Sequence, residues 1–140
     1  MLDKVVKLHR AGSVALEKTD QAALLQSGEV AVRVIARAPE GHCQLKLWDP
    51  HGRDPKPLGS REFRENDDHT WHLDESLNDL DGRTLTWSVR FFTPRPDRFE
   101  LSVAVLLDGT AVRDGVFVYS GPLEASEVEE RDGRFHFKVE

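Results

Sequence analysis

Between Asp67 and Glu75 the chain sets two imidazoles among carboxylates, Asp67-Asp68-His69-Thr70-Trp71-His72-Leu73-Asp74-Glu75, and those groups together are the chemistry of zinc or iron ligation. Histidines three apart share a face on a helix but diverge on a strand. Trp71 and Leu73 alternate here as inward strand positions, so His69 points with Trp71 while His72 points outward with Thr70 and Asp68. The cluster therefore reads as a solvated acidic stretch entering a strand. His69 and His72 stand as weak metal candidates, and neither a metal nor any other cofactor is expected.

Other chemistry-bearing groups fare no better. Asn78-Asp79-Leu80-Asp81-Gly82 has the look of a calcium loop, but with Gly82 at its sixth position Leu77 takes the first and Ser88 the twelfth, where carboxylates are required. Cys43 follows His42 directly, which on a strand puts thiol and imidazole on opposite faces, and it reads as a small packed apolar residue. No serine sits in a Gly-x-Ser-x-Gly elbow, and neither phosphate-binding glycine loop is present. No catalytic residue is assigned, and the chain reads as non-enzymatic.

Two binding surfaces remain. Leu45 and Leu47 point inward, which leaves Trp48 outward or at a strand end beside Asp49-Pro50-His51-Gly52-Arg53. An indole with His51 and Arg53 near it would stack on a sugar or anchor a protein partner, unless the loop folds back over it. The second surface is the outward side of the later strands, where Ala104, Leu106, Val116 and Val118 stand in place of the usual Thr, Lys or Arg. Such a face is either an interface or a region covered by the chain's own Ala22 to Leu25.

The elements that must position these groups are strands. Leu85, Trp87, Val89 and Phe91 alternate with polar neighbours, as do Phe99, Leu101, Val103, Val105 and Leu107, and a period of two is the mark of half-buried antiparallel strands. Val30, Val32, Val34 and Ala36 form another run, separated from Leu45 and Leu47 by an expected turn at Pro39-Glu40-Gly41. Val5 to Leu8 and Val14 to Leu16 read as short strands around Ala11-Gly12, and Asp20 as the cap of a short helix with Ala23, Leu24 and Leu25 that Gly28 stops. Asp49 to Ser60, with its prolines and glycines, reads as a long surface loop. Phe63, Trp71 and Leu73 are inward strand positions, and Asp74, Leu77 and Leu80 mark one helical turn.

Asp108-Gly109 is a hairpin signal, and the apolar parity after it needs one extra residue near Asp114-Gly115. Asp132-Gly133 reads as a second two-residue turn, pairing Glu129 with His136 and Val128 with Phe137.

These elements make residues 1–140 a single domain with a Pro/Gly-rich loop at 49–60. The fold class is all-β: an antiparallel β-sandwich, immunoglobulin-like or jelly-roll-like, or a partly open barrel, with at most one or two short helices. Net charge is −6 with Lys and Arg scattered singly, which disfavours nucleic acid and anionic membranes as partners. No apolar export or membrane-spanning segment is evident, and with one cysteine no internal disulfide can form, so a reducing cytoplasm is the expected home. The leading functional reading is a protein-interaction or assembly domain working through an outer sheet face or a strand edge. The second is a carbohydrate- or small-ligand-binding domain using Trp48 and the 49–60 loop. A hydrolase or metalloenzyme built on the His69 and His72 region comes third.

Overall fold

The computed structural model describes residues 2–9 and 28–140. They form seven strands and one helical turn: β1 (Leu2–Leu8), β2 (Val30–Trp48), β3 (Lys56–His72), α1 (Leu77–Leu80), β4 (Thr84–Phe92), β5 (Asp97–Leu107), β6 (Thr110–Leu123) and β7 (Val128–Val139). All strands belong to one sheet in the order β1-β7-β4-β2-β5-β6, with β3 also on β2. The two ends of this path approach each other, with the Lys4 ammonium 5.1 Å from the centre of the Phe117 ring. The fold is nearly all β, a nearly closed, barrel-like sheet. The expected strand at Val14 to Leu16 and the helix after Asp20 lie outside the described residues. Among the described residues no helix is long and apolar enough to cross a membrane.

β2 organises the sheet. Its first part pairs with β5 from Val30↔Leu107 to Arg37↔Glu100, its second with β4 from Glu40↔Phe92 to Trp48↔Thr84, and β3 follows it along both. The expected turn at Pro39-Glu40-Gly41 is instead a kink inside one 19-residue strand. Pro39 sits where β2 leaves β5 and joins β4, so the N–H it lacks would have had no ladder partner there. The register with β3 slips by one residue at the same place, Arg37↔Asn66 giving way to Glu40↔Arg64. That bulge also reverses the parity of the inward face. Val30, Val32, Val34, Ala36 and Ala38 are buried before it, and Cys43, Leu45 and Leu47 after it.

Two further expectations are corrected. Strand β3 begins at Lys56, so the irregular loop ends at Pro55 rather than Ser60. Pro57 and Gly59 are accommodated inside it because β3 is an edge strand whose second side pairs with nothing among the described residues. The C-terminal hairpin does not form. Strand β7 runs unbroken through Asp132-Gly133, antiparallel to β4 and parallel to β1, so Glu129 lies opposite Phe91 and His136 opposite Thr84. Gly133 is there for space: a Cβ on it would stand 2.8 Å from the Trp87 indole, which is 1% exposed.

The other turn is as the sequence predicts. Asp108 and Gly109 take φ of 50° and 83°, and Leu107 pairs with Thr110, a two-residue primed turn. Asp108 Oδ1 also accepts the N–H groups of Gly28 and Glu29 at 2.9 and 3.0 Å, tying the turn to the start of β2. The irregularity near Gly115 is present and larger than expected, because Ala104↔Val116 and Leu106↔Ala111 set five steps on β6 against two on β5. An odd excess still restores Phe117 to the interior. The expected helical turn is present as α1, capped by Ser76, whose hydroxyl accepts from the Asp79 N–H.

Replacing Gly133 by alanine should therefore cost about 1–3 kcal/mol, the usual penalty for overpacking a filled core. Urea unfolding of Gly133→Ala, Trp87→Leu and the double variant measures it, with the double variant less destabilised than the sum of the singles. A Gly133→Ala protein as stable as the parent would contradict the packing described.

Candidate functional site

Inward alternation on four neighbouring strands leaves a matching outward set. Ile35, Ala104, Leu106, Val116 and Val118 stand together on one outer face, in cross-strand rows such as Ile35↔Ser102↔Val118 and Arg33↔Ala104↔Val116. Val118 is 73% exposed, and the other four are half-buried. Charged pairs frame them. The Arg33 guanidinium donates to Asp68 at 2.8 Å, His72 Nδ1 lies 2.8 Å from Glu29, and Arg37 lies 3.9 Å from Glu100. Arg33 holds the Asp68 carboxyl below the usual carboxylate range. A groove of about 360 Å³ runs beside Val118, floored by Ile35, Leu101 and Ser102. The sequence places Leu106, Val116 and Val118 here together with Ala104. The alternation of Val30 to Ala36 already turns Ile35 outward, but its place beside Ser102 and Val118 is visible only once the β2–β5 register is known.

The histidines part as strand geometry requires. His69 stacks edge-on against Trp71 with ring centres 4.4 Å apart, while His72 turns to Glu29. Among the described residues no group of three or more His, Cys, Asp or Glu could hold a metal ion.

Trp48, His51 and Arg53 are not brought together into one site. The indole of Trp48 lies on the sheet, its N–H donating to Thr86 Oγ1 at 2.9 Å, and Arg83 Nε donates to its carbonyl at 3.0 Å. His51 and Arg53 are exposed on a loop that closes on itself, since the Asp49 carboxylate accepts both of their backbone N–H groups, at 3.0 and 2.6 Å.

Two arrangements escaped the sequence, one because it depends on β7 being continuous and the other because it depends on β2 running on through Pro39-Glu40-Gly41. On the opposite outer face, Asp3 receives Arg134 through two N–H groups and lies 3.3 Å from His136 Nε2, while His136 Nδ1 lies 2.9 Å from Thr84 Oγ1. An acid, an imidazole and a hydroxyl in that order resemble a catalytic relay, but Asp3 spends its oxygens on Arg134, which holds its carboxyl below the usual range. The linkage ties β1 to β7 and β4. At the kink of β2 a groove of about 500 Å³ is lined by Glu40, Glu62, Arg64, Arg90, Phe92 and Val128, among others. Its lining carries two arginines and two glutamates, and no nucleophile beyond His42.

Comparison with known proteins adds similarity without function. The sequence matches no protein-family model and no curated protein. Among solved structures, the chain is similar to a domain of unknown function, DUF4425, from Bacteroides vulgatus, at 12% identity and a TM-score of 0.46, covering 78% of this chain and 95% of that one. It is also similar to a DUF4425 family protein from Bacteroides ovatus, at 15% identity and a TM-score of 0.47, covering 77% of this chain and 95% of the other.

Cys43 is buried in the core, where loss of hydration and the nearby Asp67 charge push its thiol up to about 12. Its reactivity should therefore track unfolding. At pH 8 a thiol reagent such as Ellman's reagent should leave the native protein unmodified over a time in which the urea-unfolded chain reacts fully. Stoichiometric labelling of folded protein would show that Cys43 is reachable and that this part of the core opens.

Proposed function

We propose that this domain is a non-enzymatic assembly module that pairs with a second copy of itself through the outer face of β3, β2, β5 and β6. In this reading it works as a sandwich of two packed halves sharing β2 and β3, one half offering the contact. The supporting observation is the arrangement of that face: Ile35, Ala104, Leu106, Val116 and Val118 at its centre, with Arg33–Asp68, Arg37–Glu100 and His72–Glu29 around them. An apolar centre with a polar rim is the anatomy of an interface, whereas a solvated sheet face carries polar residues throughout.

Charge favours a second copy over a basic or acidic partner. The chain carries −6 in all, yet this face holds its cations beside its anions and contributes little of that excess. Two copies related by a two-fold axis would meet with balanced rims, each able to offer an arginine to the other's carboxylate. A reducing compartment suits the lone buried thiol of Cys43, and we place the domain in the cytoplasm.

Sedimentation velocity over a concentration series tests the reading. Wild type should show a concentration-dependent dimer, and Leu106→Glu and Val118→Glu should be monomeric while melting within a few degrees of wild type, since both side chains reach the surface. A wild type that stays monomeric would overturn the proposal. So would variants that unfold, because the face would then be internal.

A further inference from the structure

On the other outer face, the geometry points to a shallow binding site for one neutral sugar ring, formed by Trp48, Gln44, Lys46, Thr86, Ser88 and Asp132. A groove of about 190 Å³ is lined by these side chains together with the strand position of Trp87. They come from three adjacent strands in register. Lys46 lies opposite Thr86, and Gln44, Ser88 and Asp132 form the neighbouring row. All project outward because Cys43, Leu45, Leu47, Leu85, Trp87 and Val89 between them are buried. Trp48 bounds the groove, and its N–H bond to Thr86 Oγ1 fixes the indole beside the sheet.

The groove is marked by unpaired polar groups gathered beside a held indole. Several other outward side chains of this face are paired, Arg134 with Asp3, His136 with Thr84 and Arg90 with Glu130. Among the described residues, Gln44, Lys46, Ser88 and Asp132 make no side-chain hydrogen bond or ion pair within the protein, and all four line the groove beside the indole. A row of cross-strand neighbours left with both donors and acceptors unused, next to a held aromatic ring, is complementary to a pyranose. Its C–H face packs on an indole while its hydroxyls both donate and accept. Lys46 and Asp132 offset each other, which favours an uncharged ring over a uronate or a sugar phosphate. The sequence tied Trp48 to His51 and Arg53, and the register ties it instead to the strands beside it.

Titrating ¹⁵N-labelled protein with the methyl glycosides of glucose, galactose, mannose and N-acetylglucosamine, and with adenosine as a stacking control, tests the site. At least one glycoside should shift the Trp48 Nε1–H signal saturably in the millimolar range, leaving the Trp71 and Trp87 indoles in place. Asp132→Ala and Gln44→Ala should each weaken that binding by about tenfold, the effect of losing one polar contact, with unchanged melting. Val118→Glu, on the opposite face, should bind as wild type does, which keeps this result independent of the assembly reading. No saturable shift with any glycoside would overturn the proposal. A shift that survives both substitutions, or a larger one with adenosine, would do so as well.

Discussion

Strand β2 must serve two different partners on one side while keeping a single partner on the other, and the arrangement of the remaining strands follows from how it does so. Its ladder with β3 continues from Ala31↔His72 to Leu47↔Lys56, and its opposite edge passes from β5 to β4 at Ala38-Pro39. A straight strand would run past one of them. The bulge supplies a local bend and reverses the side-chain parity, so the buried set moves from even to odd positions without breaking the core. The same reversal decides which residues face out. Ile35 emerges before it and Gln44, Lys46 and Trp48 after it, so the two outer faces have different chemistry.

Closing so large a sheet over so many aromatics needs room, which glycines provide. A Cβ at Gly133 would meet Trp87, one at Gly41 would come within 2.3 Å of the Phe63 ring, and one at Gly59 within 2.7 Å of Trp71. In each case a ring lies over a backbone with no side chain and covers it, replacing the packing that a glycine in a strand gives up. Trp87 is held by shape more than by polarity. Among the described residues its N–H has no hydrogen-bond partner, while its ring meets Phe117 and Tyr119 at centroid distances of 5.3 and 6.1 Å.

These same glycines explain where the sequence misleads. Asp132-Gly133 and Pro39-Glu40-Gly41 have the composition of turns, and nothing local distinguishes a glycine needed for positive φ from one needed for an aromatic ring directly opposite on the next strand but far away in sequence, as Trp87 is from Gly133 and Phe63 from Gly41. Asp108-Gly109 is legible because its own flanks, Leu106-Leu107 and Ala111-Val112, already supply the alternation of a hairpin. The inward residues of β4 and β5 are legible for the same reason. Polar groups such as Asp3, His136 and Gln44 are not, since their meaning depends on pairings between strands distant in sequence, including a parallel one between the two ends of the chain. The apolar outer face was visible through Leu106, Val116 and Val118 because it broke the polar half of an otherwise regular alternation.

The two outer surfaces differ in kind, with exposed apolar side chains gathered on one and polar side chains of three strands beside Trp48 on the other. Methyl NMR addresses the proposed assembly face atom by atom. In a dilution series of ¹³C-methyl spectra, the methyls of Ile35, Ala104, Leu106, Val116 and Val118 should shift together with concentration while those of Leu45, Val89 and Val128 remain fixed. Spectra independent of concentration, or shifts centred on Val128 and Leu2 instead, would contradict it.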